Sequence, residues 1–355
     1  MKTTVLIMAG GQGERFWPKS RTKLPKQFLN ITNSDKTMIQ LTVERVKPIV
    51  SIEDIYIITN ENYKDLVKEQ IPDLPNENII CEPVGRNTAP CIGLAAMYMT
   101  KKYDDSVMIV LPADHLIKNV DEFVDTLLLA KDKAISGKNL VTIGIRPNYP
   151  ETGFGYIKYI DNENDNFYSV DKFVEKPILE KAKQYLNSGN YLWNSGMFIW
   201  KTSTIIENIQ KFLPDTYDKL LEIKKAIGTK REEEVLKEIF PTIEKESIDY
   251  GIMEKTDNIY TLPGSFGWDD VGSWNCLDRI NQTDEENNIK FGNVVSVNTS
   301  NCIIYGNKRL ITTLNVKDLV IVDTEDAVLI ADKNSTGDIK EVIAKVKANN
   351  KEEYI

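Results

Sequence analysis

Leu6-Ile7-Met8-Ala9-Gly10-Gly11-Gln12-Gly13-Glu14-Arg15, followed by Pro25-Lys26-Gln27-Phe28, is the stretch from which the fold is read. A short apolar strand, Thr4–Met8, runs into a loop with three glycines in four positions. Without Cβ atoms such a loop can turn sharply and bring its backbone against a ligand. Successive N–H groups then form a nest for phosphate oxygens. Arg15 adds a guanidinium that can fork onto phosphate, and Lys26 adds a point charge. The stretch therefore predicts a polyphosphate site at the exit of a first, buried strand. It fits neither common phosphate motif. No Gly-Lys-Ser/Thr follows at P-loop spacing, and Phe16 occupies the place of the third glycine of a dinucleotide fingerprint. A plain tight turn would leave both the basic residues and the Pro25–Phe28 run unexplained.

Working outward, short apolar runs alternate with helical patterns through residue 150. Strands are predicted at Thr4–Met8, Ile55–Thr59, Asn78–Cys81, Ser106–Leu111 and Leu140–Ile145, with helices around Met38–Val46, Tyr63–Ile71, Ala89–Tyr98 and Phe123–Ile135. This alternation predicts an α/β fold, a Rossmann-like, mostly parallel sheet flanked by helices. Ligands of such sheets bind beyond the strand C-termini, where the glycine loop and Pro112-Ala113-Asp114-His115 both fall. Phe154–Ile160, Phe167–Phe173 and Tyr191–Ile199 read as further strands, and Ile178–Leu186 and Thr202–Leu236 as helical. No linker interrupts them, so residues 1–285 are expected to form one domain. The polar run from Asn281 to Asn288 marks its end. Residues 286–355 carry closely spaced short strands (Val294–Val297, Cys302–Tyr305, Leu310–Leu314, Leu319–Val322, Val328–Ile330) and a final helix, Asp338–Lys347. They predict a small β-rich C-terminal domain, with no strict hexapeptide repeat to establish a regular β-helix.

Composition narrows the function. Among 355 residues, 41% are hydrophobic and 27% charged, as in an ordinary globular protein. A net charge of −9 disfavours nucleic acid and anionic membranes as partners, while leaving room for a small basic pocket. No leader-like or membrane-spanning run is visible, so a cytoplasmic location is expected. The four cysteines, Cys81, Cys91, Cys276 and Cys302, form no Cys-x-x-Cys pair, so reduced thiols are expected rather than zinc or redox chemistry. His115 is the only histidine, and no Gly-x-Ser-x-Gly elbow accompanies it. Packing or hydrogen bonding is the expected role for it.

Other motifs carry oxygen and nitrogen groups suited to phosphates and hydroxyls. Asp114 follows a Val/Ile/Leu-rich strand stopped by Pro112, a place for a magnesium ligand as well as for a simple turn aspartate. Gly267-Trp268-Asp269-Asp270-Val271-Gly272-Ser273-Trp274 offers two adjacent carboxylates, either of which could bind metal or cap a helix. Phe173-Val174-Glu175-Lys176-Pro177 ends a strand with an acid and a base. The acid can accept sugar hydroxyls and the base can hold a sugar phosphate, although an exposed ion pair is the plainer alternative. Asn194, in Trp193-Asn194-Ser195-Gly196, can donate and accept at once. The loop Glu82-Pro83-Val84-Gly85-Arg86-Asn87-Thr88-Ala89-Pro90 suits the edge of a purine, or only the cap of the helix after it.

Together these motifs resemble the sugar nucleotidyltransferases, and their order over residues 5–275 is most similar to the mannose-1-phosphate guanylyltransferase family. The Pro25–Phe28 run, Gly85–Pro90 and Trp193–Gly196 point to the guanylyl branch. The resemblance implies a nucleotide-diphospho-sugar transferase fold whose C-terminal region is a short left-handed β-helix, in a short monofunctional form that allows a homodimer. It implies that Gly10, Gly11 and Gly13 line the nucleotide phosphates, that Arg15 and Lys26 neutralise them, and that Glu82, Gly85 and Asn87 lie near guanine and ribose. Asp114 and Asp270 would hold Mg2+ or another divalent cation. Gly155, Glu175, Lys176 and Asn194 would hold the sugar phosphate.

The implied reaction joins GTP and mannose 1-phosphate to give GDP-mannose and pyrophosphate. A phosphate monoester is already largely a dianion at neutral pH, since its second pKa is about 6, so no general base is required of a chain with one histidine. Charge repulsion and alignment form the barrier, and cations and positioning lower it. The alternatives are another sugar 1-phosphate such as a heptose, another nucleotide such as UTP or dTTP, and a non-catalytic sugar-nucleotide-binding regulator.

Overall fold

The computed structural model describes residues 1–11, 13–32, 34–161 and 166–355; Gln12 of the glycine run lies outside them. By packing, the chain divides into two compact units. The first comprises Met1–Gly10, Val43–Ala113 and Ile117–Trp268, and the second Gly11–Thr42, Asp114–Leu116 and Asp269–Ile355.

The first unit is built on a nine-stranded sheet. Its strands are β1 (Lys2–Met8), β2 (Ile55–Asn60), β3 (Ile79–Glu82), β4 (Ser106–Pro112), β5 (Leu140–Ile145), β6 (Tyr156–Ile160), β7 (Tyr168–Val174), β8 (Tyr191–Lys201) and β9 (Ile259–Gly264). The order is β3-β2-β1-β4-β8-β5-β9-β7-β6. The first four are mutually parallel, and β8 runs antiparallel to both β4 and β5. Val5, Leu6 and Ile7 are wholly buried, as expected of a parallel strand covered on both faces. Leu94, Ala95 and Ala96 of the helix Thr88–Lys102 pack in one core with Leu6, Ile58, Val110 and Trp200.

Two expectations change in this unit. Strand β9, which is not among the strands predicted from the sequence, pairs in parallel along β5 over its whole length; its Pro263 and Gly264 are residues that weaken a strand pattern. The helical stretch Thr202–Leu236 is three helices, Thr202–Phe212, Pro214–Ala226 and Glu232–Ile239. Pro214 restarts the chain at a first helical position, and Gly228 precedes the third helix with φ 81°.

In the second unit, Ile289–Phe291, Ile303–Tyr305 and Leu319–Asp323 pair in parallel, as do Val294–Val297 and Ile311–Leu314. The corners are Asn298 and Asn315, and Asn301 and Asp318, all at positive φ. Each pair is joined by a side-chain hydrogen bond across 17 residues. Paired strands stand 14 or 17 residues apart, neither a multiple of six, so the strands keep no hexapeptide register. The residues after the glycine loop belong to this unit through burial: Phe16, Trp17 and Ile31 share a core with Trp274, Ile303 and Val320. The last helix, Ile339–Ala348, seats Ile339 and Ile343 in the same core. Among the described residues no helix is long and apolar enough to cross a membrane.

Candidate active site

The glycines of the first loop divide by physical role. Gly13 has φ 61°, and a Cβ there would stand 2.4 Å from the Cβ of Lys26, so both its backbone and its neighbour require glycine. Gly10 and Gly11 have no such requirement. A Cβ at Gly10 would meet only Glu82 Oε2 at 3.6 Å, and at Gly11 nothing within 4 Å. Their missing side chains leave open space, as a surface approached by a ligand needs.

Lys26 is the organising residue of the second unit's site. Its ammonium sits 2.7 Å from Asp114 Oδ2 and donates to the carbonyls of Asp270 at 2.9 Å and Val271 at 2.8 Å. An ammonium has three donors, so Lys26 is saturated. Arg15, by contrast, is exposed and has no ion pair or side-chain hydrogen bond among the described residues.

The two adjacent aspartates have different surroundings. Asp269 is buried; it accepts the Val271 N–H at 2.8 Å and pairs with Arg279 at 2.6 Å and 3.1 Å. Asp270 is left facing a cavity. Gly272 makes room for it, since a Cβ there would meet Asp270 Oδ2 at 2.6 Å. That contact is the physical reason for glycine two positions after the aspartate. Val271 and Lys176 are the only described residues other than glycine, asparagine and aspartate with positive φ, and both stand in candidate-site motifs. Strained backbone of this kind persists where the surroundings impose it.

The cavity holds about 430 Å³. Gly13, Arg15, Lys26, Asp114 and Asp270 all line it, so five of the residues singled out in the sequence meet at one place. Burial pushes the Asp114 carboxyl up, but the charges of Lys26 and His115 and the Lys26 hydrogen bond outweigh it and hold it below the usual range. Burial pushes Asp270 up to about 6; Asp269 and Asp114 add to the rise, while Lys26 and Arg279 oppose it.

The first unit carries the other candidates. Glu82, at the end of β3, is 6% exposed, and its Oε1 has no hydrogen-bond partner among the described residues. Burial pushes its carboxyl up to about 8. Gly85 is open, with nothing within 4 Å of a Cβ built there. The side chain of Asn87, at φ 70°, accepts the Thr88 N–H and caps the following helix. The Asn194 N–H donates to the Gly155 carbonyl at 2.8 Å, and a Cβ on Gly155 would stand 3.0 Å from Glu175 Oε2. Gly155, Glu175 and Asn194 are therefore neighbours, and Lys176 pairs with Glu175 at 2.8 Å.

Asp249 and Lys340 stand outside every motif quoted from the sequence. Asp249 accepts a hydrogen bond from Asn194 Nδ2 at 2.8 Å and fixes which way that amide points. Its carboxyl is pushed up to about 6, by burial first and also by the charge of Glu175. A lone aspartate in the apolar run Ile248–Met253, on a π-helical turn, is a signal that could have found it. Glu14, Phe16, His115 and Gly272 also line the 430 Å³ cavity. So does Lys340, from the last helix, which nothing in its local sequence distinguishes from the lysines around it.

A family model described as nucleotidyl transferase matches residues 4–287, and one described as MannoseP isomerase/GMP-like beta-helix domain matches residues 292–346. A mannose-1-phosphate guanylyltransferase of Salmonella montevideo is 42% identical over 361 residues, covering 99% of this chain and 75% of the relative. The protein named mannose-1-phosphate guanylyltransferase ManC of Salmonella typhimurium is 43% identical, covering 98% of this chain and 74% of its own length. Among solved structures, one described as a mannose-1-phosphate geranyltransferase from Thermus thermophilus superposes with a TM-score of 0.89. It is 32% identical and covers 98% of this chain and 100% of its own.

Proposed function

Since this chain belongs to the mannose-1-phosphate guanylyltransferase family of nucleotidyl transferases, we propose that it moves GMP from GTP to α-D-mannose 1-phosphate, giving GDP-mannose and pyrophosphate. The observation that carries the reading is the cavity where the free guanidinium of Arg15 and the saturated ammonium of Lys26 meet the carboxylates of Asp114 and Asp270. An oxygen of the sugar phosphate attacks the α-phosphorus, and the bond from that phosphorus to the bridging oxygen breaks. The electron pair leaves with pyrophosphate. No protein group has to take a proton from the attacking oxygen, so Arg15 and Lys26 act by charge and by position.

Guanine is supported by the chemistry of Glu82. The Watson–Crick edge of guanine presents two adjacent N–H donors, and a carboxylate is their complement. Uracil and thymine present one donor between two acceptors. On the sugar side, Asn194 held by Asp249, together with Glu175, offers acceptors and a donor for hydroxyls.

Asp114 and Asp270 also fit a divalent cation. They bring two hard oxygen donors to one cavity, and no cluster of three or more His, Cys, Asp or Glu groups stands among the described residues. Magnesium is held in this way, by one or two carboxylates with substrate phosphates filling the rest. When bound, it would supply charge neutralisation and orientation of phosphate oxygens.

Incubation with GTP, mannose 1-phosphate and Mg2+ is expected to release pyrophosphate and yield a product with the mass of GDP-mannose. Product only with another nucleotide or sugar phosphate, or none at all, overturns the reading. A second expectation concerns pH. The Glu82 carboxyl is mostly protonated below about 8, and guanine needs the ionised form. Affinity for GDP should therefore strengthen as pH rises from 6 to 8, by up to about tenfold per unit. Glu82→Gln should remove this slope and weaken binding at pH 8 by roughly 10²-fold, because the amide turns donors toward donors. Calorimetric titration with GDP at three pH values measures both; an unchanged slope in the variant rules Glu82 out as the guanine acceptor.

A further inference from the structure

We propose that Lys340, carried by the C-terminal helix, is a phosphate-binding residue of the nucleotide site and grips the phosphates that leave as pyrophosphate; this rests on the nucleotidyl-transfer reading above. Three observations carry it. First, Lys340 lines the same 430 Å³ cavity as Arg15, Asp114 and Asp270. Second, it is uncommitted. Its side chain is 60% exposed, and its one ion pair, to Glu14, is at 3.9 Å, the outer limit of such a contact. Lys26, its fellow lysine in this cavity, has no donor left. Arg15 and Lys340 are thus the two lysine or arginine groups lining the cavity that can turn to an incoming phosphate. Third, its place is fixed from beneath. Ile339 and Ile343 are 2% and 4% exposed, in the core that holds Phe16 and Trp17. Trp17 Nε1 also donates to the Tyr354 carbonyl at 2.7 Å, so the end of the chain is tied to the turn that presents Arg15.

The chemistry calls for such a group. When the α-phosphorus is attacked, charge builds on the departing phosphates, and a donor placed there stabilises the transition state more than the ground state. A lysine on a flexible stem can leave a distant carboxylate for a phosphate at little cost, since an exposed pair of this kind is weak. The last helix would then contribute a cation to the cavity that Arg15 and Lys26 line.

The test is calorimetric titration of the full chain with inorganic pyrophosphate in magnesium buffer, beside initial-rate kinetics. Lys340→Ala is expected to weaken pyrophosphate binding about 10–100-fold, the range for one charge-assisted hydrogen bond. It should raise the KM for GTP while leaving the KM for mannose 1-phosphate unchanged. Lys340→Arg should stay within a few-fold of the wild type, and Lys345→Ala, exposed on the same helix, should bind as the wild type does. Lys340→Ala is expected to melt with the wild type, because its side chain is mostly exposed and its one ion pair is long. Equal pyrophosphate affinity in Lys340→Ala and wild type overturns the proposal and leaves the transfer reading standing. A wild-type chain with no affinity for pyrophosphate brings down both.

Discussion

Lys26→Met is expected to lower turnover by at least about 10³-fold and to lower thermal stability as well, whereas Arg15→Ala should lower turnover by about 10²–10³-fold and leave stability unchanged. The difference follows from what each cation already holds. Arg15 has no partner to abandon among the described residues. Lys26 holds Asp114 and the carbonyls of Asp270 and Val271, and it is about 7% exposed. Methionine keeps the apolar stem but leaves one carboxylate and two carbonyls without their donor. Each orphaned group is worth about 1–3 kcal/mol where it stays dry. Asp114 is about one-third exposed, so water recovers part of this, and a net loss near 2 kcal/mol is the expectation. The pH dependence has a definite sign. Lys26 helps to hold the Asp114 carboxyl below its ordinary range, so its contribution is present above the unfolded pKa and fades as pH falls through the folded one. The stability gap between wild type and Lys26→Met should therefore narrow toward acid pH. Arginine should not rescue the site, because three acceptors converging on one point suit an ammonium and not a planar fork. Thermal melts at pH 7.5 and at about pH 3, below the ordinary carboxylate range, with kcat for all three variants at pH 7.5, decide the matter. A Lys26→Met chain with wild-type kcat would remove Lys26 from the catalytic machinery.

The parallel half of the sheet was legible because its strands are buried on both faces and read as continuous Val, Ile and Leu runs. The meeting of Arg15, Lys26, Asp114 and Asp270 was legible as motif chemistry, since glycines and charges at strand exits have few purely structural explanations. The rest depended on tertiary partners far away in sequence. Trp274 donates to the Trp17 carbonyl across 257 residues, and no local pattern around Phe16 and Trp17 announces that they share a core with the β-rich region. The saturation of Lys26 comes from carbonyls 244 and 245 residues away. A sequence shows that a lysine is present but not whether its donors are taken. The same holds for Asp269 and Asp270, identical in type and adjacent. Their partners tell them apart: Arg279 and the Val271 N–H both close on Asp269, while Arg279 stands 3.9 Å from Asp270.

That separation leads to the expectation that Asp270→Asn abolishes transfer while making the chain more stable. Asparagine keeps the volume beside Gly272, and the main-chain carbonyl that Lys26 uses is untouched. What is lost is one negative charge facing the cavity. In the absence of ligands that charge is unfavourable: burial, with Asp269 and Asp114 nearby, raises the carboxyl to about 6. A raised carboxyl pKa means that the folded state binds protons more tightly than the unfolded one. Stability is therefore given up as pH climbs from about 4 to 6, and the deficit persists at neutral pH. Two pKa units correspond to about 3 kcal/mol, an upper bound for a carboxylate about one-quarter exposed. Asp270→Asn should recover part of this at pH 7.5 and about half as much at pH 5, so its melting temperature should exceed that of the wild type most at the higher pH. A divalent cation offsets the same charge, so Mg2+ should raise the melting temperature of the wild type more than that of the variant. Asp269→Asn should have the opposite effect on stability. It loses the charge on which Arg279 closes and frees the loop that presents Asp270, so it should be less stable at neutral pH. A residue that destabilises the free protein and is indispensable for turnover has the character of a functional group held in place against its own preference. Should Asp270→Asn turn over normally, or Mg2+ stabilise it as fully as the wild type, the carboxylate facing this cavity is not the one the reaction uses.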